Sequence, residues 1–177
     1  MGPGKFQRAL EEKLRKLNIE RDQHIRKRVA SLVCGPSIIR VFKSRPKNKL
    51  IHYLAKIKIE QLKKIKSEES FKKWFRTKSI GIAKIIKGGT PKKYAHAPKI
   101  LALYCRALVY ESRYALKENA YKRIEKLLFV PIDSYVIKAL KKLDKHKECT
   151  VLKGIESMSK FKRETFMDIQ EILKYAS

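Results

Sequence analysis

Between Ser70 and Tyr110 the chain carries ten Lys and Arg side chains and no Asp or Glu. They are Lys72, Lys73, Arg76, Lys78, Lys84, Lys87, Lys92, Lys93, Lys99 and Arg106. Cations without interspersed acids suit one task above others, the neutralisation of phosphates with release of their counterions. A solvated helix face ordinarily mixes signs, and this stretch does not. Aromatic residues stand among the lysines: Phe71, Trp74, Phe75 and Tyr94. Such rings can stack on a base or wedge into a groove. Phe71 and Phe75, four apart, are expected in the core. Trp74, Tyr94 and His96 complete the candidate nucleic-acid contacts.

Two short stretches carry residue types for further chemistry. One is Tyr94-Ala95-His96-Ala97-Pro98-Lys99-Ile100-Leu101-Ala102, entering a helix. The other is Val130-Pro131-Ile132-Asp133-Ser134-Tyr135-Val136, entering another. On local grounds alone, Lys99 is a phosphate-contacting lysine at a helix start, and Asp133 is an N-cap.

Together these stretches resemble the helix–hairpin–helix DNA glycosylase superfamily. There a small-x-small-x-Lys turn opens one helix, as Ala95-x-Ala97-x-Lys99 does here. A Pro-Val-Asp-x-x-Val stretch caps a later one, as Pro131-Ile132-Asp133-Ser134-Tyr135-Val136 does here. The interval from Lys99 to Asp133 is 34 residues, closest to the archaeal 8-oxoguanine glycosylase branch. The resemblance covers about residues 80–145. The places where the family has hairpin glycines hold Ala95 and Ala97, and there is no four-cysteine iron–sulfur loop. The resemblance implies a helix–hairpin–helix element and duplex DNA as partner. It implies Lys99 as Schiff-base nucleophile, Asp133 as catalytic aspartate, and base excision coupled to strand cleavage. A chromatin, viral or ribonucleoprotein component that binds without catalysis stays open, because DNA and RNA present the same phosphates.

Other constellations are weak. His146-x-x-Cys149 has metal-ligand spacing but no second pair, so no metal and no cofactor are expected. Lys87-Gly88-Gly89-Thr90 lacks the context of a phosphate loop. The formal net charge is +27 on 177 residues. A field of that size is self-repulsive unless a polyanion lies nearby. Residues 35–66 add ten basic side chains opposed only by Glu60. Cys34, Cys105 and Cys149 lie far apart and imply no disulfide framework. With no signal-like start, an intracellular location is expected, cytoplasmic or nucleoid-associated. No run of about 18 apolar residues exists, so no membrane partner is expected.

The positioning elements read as helices. An apolar fraction of 44% can build a core. Residues 5–17 place Phe6, Leu10, Leu14 and Leu17 on one expected buried stripe. A second helix is predicted over 19–34, with Ile19, Ile25, Val29 and Leu32–Val33 inward, ending at Gly35-Pro36. One helix is predicted over 49–66. Ser67 should cap the next, while 80–87 is ambiguous. Gly88-Gly89-Thr90-Pro91 marks a loop. Helices follow at about 98–116 and 118–128, after a cap at Asp133, and at 159–175. The expectation is one all-α domain over 1–177, a compact orthogonal bundle. Its N-terminal helices run to 34, its basic region covers 35–110 and its C-terminal helices cover 111–177.

Overall fold

The computed structural model describes residues 3–39, 42, 46–86, 96–144, 152 and 163–175, and these form an all-α bundle. In chain order the helices are α1 (Pro3–Val33), α2 (Pro36–Ile39), α3 (Lys47–Ala55), α4 (Ile59–Lys64), α5 (Glu68–Ile86) and α6 (His96–Glu111). A 3-10 turn (Arg113–Ala115) leads to α7 (Glu118–Leu127), α8 (Ser134–Leu143) and α9 (Arg163–Tyr175). Among the described residues there is no strand, and no helix is long and apolar enough to cross a membrane.

The central helix is α6. Ala97, Ile100, Leu101, Tyr104, Cys105 and Leu108 are all buried along it. It packs against α5 on one side and α1 on another, and α1 packs on α3. Cys34 and Cys105 are free thiols in this core. Burial pushes the Cys34 thiol up to about 11, so it is held as a neutral apolar group.

Three expectations are corrected. The two predicted N-terminal helices are one, α1, because no Gly or Pro interrupts residues 5–33. Its first half also does not bury the apolar stripe. Leu10, Leu14, Leu17 and Ile19 are each about half exposed, and Leu32 is exposed too. Burial begins at Arg26, Val29 and Ala30. The predicted helix over 49–66 breaks between α3 and α4. There Ile57 is buried and its carbonyl accepts the Tyr104 hydroxyl at 3.2 Å. A tertiary hydrogen bond thus replaces the intrahelical partner that the break removes. Arg26 closes the same corner, donating to the Ala55 carbonyl while its Nε pairs with Asp22 at 2.9 Å. The ambiguous stretch 80–87 continues α5 as far as Ile86.

Local start signals hold elsewhere. Ser67 Oγ accepts the Ser70 amide at 3.2 Å, and Glu68 and Glu69 occupy the first turn of α5. One glycine in α5 sits where side chains meet. A Cβ on Gly81 would fall inside the hydroxyl and ring of Tyr53, whose Oη donates to the Lys78 carbonyl at 3.3 Å. Gly81→Ala is therefore expected to destabilise by about 1–2 kcal/mol, overpacking outweighing the gain in helix propensity. In a Tyr53→Leu background the same change should become stabilising by up to about 1 kcal/mol. Urea denaturation of the four proteins checks the sign reversal.

Candidate nucleic-acid interface and lysine–aspartate pair

The outward side of α5 carries Lys73, Arg76, Thr77, Ile80 and Lys84, all exposed. They recur at i, i+3, i+4, i+7 and i+11, which is one helical stripe. Lys73 to Lys84 spans about 16 Å at 1.5 Å per residue. That matches about five base pairs at 3.4 Å each. No described ion pair engages Lys73, Arg76 or Lys84.

The neighbouring candidates are placed differently. Lys72 lies 2.7 Å from Glu68 and 2.6 Å from Glu171, which α9 brings from the other end of the chain. Lys174 pairs with the same two carboxylates. Two cations and two anions therefore cancel at this point. The Lys174 and Lys72 ammonium groups hold the Glu68 carboxyl below its ordinary range, and Lys72 does the same for Glu171. Glu171 and then Glu68 hold the Lys72 amine above its ordinary range. Trp74 is half-buried and packs on Phe71 with ring centroids 5.8 Å apart, so its ring serves the core. Lys78 is half-buried on the side of α5 that receives Tyr53. His96 opens α6 with its ring edge-on to the buried Phe42, centroids 5.5 Å apart. Arg106 is exposed on α6. Lys87, Lys92, Lys93 and Tyr94 lie outside the described residues, as does the hairpin sequence between α5 and α6. His146 and Cys149 lie outside them too, and the described residues hold no group of three or more potential metal ligands.

Lys99 and Asp133 come together. Lys99 Nζ lies 3.8 Å from Asp133 Oδ2, with the side chains 23% and 34% exposed. Lys99 is in the first turn of α6, where buried Ala97, Pro98 and Ile100 fix the backbone. Asp133 is the N-cap of α8. Its Oδ1 accepts the amides of Tyr135 at 2.9 Å and Val136 at 3.0 Å. The two carboxylate oxygens thus have separate tasks, one closing the helix and one facing the amine. The connector that delivers Asp133 is itself held. Gln170, buried on α9, accepts the Val130 amide at 2.9 Å and donates to the Val130 carbonyl at 2.7 Å. Ile132 is fully buried beside it, and Phe129 packs edge-on to Phe75 with centroids 4.8 Å apart. The arrangement presents a primary amine and a carboxylate oxygen at the starts of two helices, where exposed amides and the helix dipoles favour anions.

Clefts open elsewhere on the surface. One of about 400 Å³ between α5 and α9 is rimmed by Lys73 and Arg76 and floored by Phe75, Phe166 and Met167. Another of about 290 Å³ between α6 and α7 is lined by Arg106, Tyr110, Tyr121 and Glu125 over Ala107, Val109 and Leu128. Neither is lined by Lys99 or Asp133. Sequence reasoning missed Tyr110, Tyr114 and Tyr121, which are partly or largely exposed. The signal was available: Arg106, Tyr110, Arg113 and Tyr114 recur at i, i+4, i+7 and i+8. No protein-family model, no curated protein and no solved structure matches this chain.

Proposed function

We propose that this protein binds duplex DNA through the basic stripe of α5 and acts on it as a base-excision glycosylase with strand-cleaving lyase activity. The observation that carries the reading is the approach of Lys99 Nζ to Asp133 Oδ2, at 3.8 Å, in a chain of net charge +27. An amine and a carboxylate in that relation can perform the two-stage chemistry of a lysine nucleophile.

Lys99 gives up a proton and its lone pair attacks C1′ of the damaged nucleotide. The bond from C1′ to the base breaks, and the base leaves with the electron pair and takes up a proton. Opening of the sugar ring leaves an imine between Nζ and C1′. Loss of a C2′ proton then expels the 3′ phosphate oxygen, which cuts the strand. Water hydrolyses the imine and restores Lys99. In this reading Asp133 Oδ2 receives the proton that the ammonium must lose, through one water or after a small approach of the side chains, and stabilises positive charge developing at C1′. The target base must leave the stack for C1′ to be reached.

Asp133→Asn separates this role from helix capping. Asn retains a side-chain oxygen for the Tyr135 and Val136 amides but removes the negative charge. Strand scission of duplex DNA with one abasic site is expected to fall about a hundredfold or more, within the range of a lost acid–base group, while unfolding free energy changes by under about 1 kcal/mol. Equal loss of scission and stability would make Asp133 a cap alone. Salt-dependent duplex binding with no scission by the wild-type chain would instead favour the non-catalytic reading, which the basic α5 stripe supports independently.

A further inference from the structure

At the C-terminal end of α6 the surface changes character from lysine to tyrosine and arginine. Tyr110 is 70% exposed and Tyr114 is 53% exposed, both far beyond what packing requires. Two arginines lie over tyrosine rings here. The Arg21 guanidinium sits 3.8 Å from the Tyr114 ring centre and that of Arg113 sits 4.8 Å from the Tyr121 ring centre. Tyr121 is further fixed by its hydroxyl, which donates to Glu125 at 3.2 Å. Tyr110 and Tyr121 line the same 290 Å³ cleft, with Arg106 at its edge and the buried Val109 beneath. The cleft is therefore a small concavity with two aromatic walls, an apolar floor and a guanidinium at the rim.

We infer that this cleft is a second nucleic-acid site, which takes one unpaired nucleotide of a DNA strand, the base on Tyr110 and its phosphate on Arg106. It rests on the DNA-binding part of the function proposed above. The chemistry selects the ligand. A flat base offers a π-face to a ring whatever its sequence, and stacking of this kind is a main source of affinity for single strands. Paired bases already stack on each other and leave no face for Tyr110. The guanidinium suits phosphate, for which it provides a planar fork of donors. Tyr121, held by Glu125 and Arg113, is a fixed wall rather than a ring that must be ordered on binding. This site contrasts with the α5 stripe, which offers charge without an exposed ring. A strand displaced by base extrusion or left after scission has unpaired nucleotides of this kind.

The test is fluorescence anisotropy of the full chain with a labelled oligothymidylate of about twelve nucleotides, and with a duplex of equal length. Tyr110→Ala is expected to weaken strand binding by about tenfold while leaving the slope of log affinity against log salt unchanged. Tyr110→Phe, which keeps the ring, should bind the strand within about twofold of wild type. Duplex affinity of Tyr110→Ala should also stay within about twofold. Wild-type strand affinity in Tyr110→Ala overturns the inference. So does a loss in Tyr110→Phe equal to that in Tyr110→Ala, or a duplex loss equal to the strand loss. Displacement of the oligomer by thymidine monophosphate at an equal nucleotide concentration would assign the cleft to free nucleotides and overturn the strand assignment. The two readings fail separately. Absence of scission with strand binding as expected removes the glycosylase alone, and normal scission with an indifferent Tyr110→Ala removes this site alone.

Discussion

Neutralising Lys73, Arg76 and Lys84 together with glutamine is expected to weaken duplex DNA binding by two to three orders of magnitude near 0.1 M salt. Each phosphate contact contributes about 0.9 to the slope of log affinity against log salt, so removal of three should lower that slope by about 2.7. The same relation gives about an eightfold loss per contact at 0.1 M, and the curves should converge toward 1 M. The three side chains are exposed, so the variant should fold as the wild type does. Lys72→Gln supplies the internal contrast. Its ammonium is engaged by Glu68 and Glu171, so its removal should change affinity much less. A triple variant with an unchanged slope would mean that the polyanion docks on another face.

Phe75→Ala should be the most damaging single change to the fold, costing about 3–5 kcal/mol. Phe75 is 2% exposed and touches three other rings. Phe71 lies 5.7 Å away on its own helix, Phe129 lies 4.8 Å away on the connector, and Phe166 stacks at 5.9 Å from α9. One ring therefore ties α5 to α9 and to the segment that delivers Asp133. Urea denaturation should show the loss as a lower midpoint at similar slope. Phe75→Leu, which keeps most of the volume, should cost about 1.5 kcal/mol or less. If Phe75→Ala unfolds with the wild-type midpoint, α9 does not dock as described.

What could be read in the sequence was what is decided locally. Asp133 caps α8 because a short acceptor follows a proline and precedes an apolar-periodic run, all within a few residues. The buried face of α6 follows from its own periodicity. The all-α class follows from many such segments together. What could not be read depends on partners distant in sequence. The break at Ile57 is held by Tyr104, and nothing near residue 57 announces it. Leu10, Leu14 and Leu17 have the spacing of a buried stripe, but spacing cannot say whether another element covers it. Lys72 opens an acid-free stretch of sequence with Glu68 one turn before it, but Glu171 reaches it only because α9 folds back over α5. Trp74 stood among lysines in the sequence, and the structure turns it against Phe71. Tyr110 and Tyr121 escaped notice because aromatic residues at helical spacing ordinarily mean core, and here they lie at the surface.

The approach of Lys99 to Asp133 has its most direct test in borohydride reduction of the protein mixed with duplex DNA that carries a single abasic site. An imine between Nζ and C1′ would be reduced to a stable amine, leaving a covalent protein–DNA adduct on a denaturing gel. The wild-type chain is expected to form that adduct, Lys99→Ala to form none while still binding the duplex, and peptide mapping to place the DNA on Lys99. A chain that binds the duplex and forms no adduct, or an adduct that persists undiminished in Lys99→Ala, would contradict a catalytic Lys99.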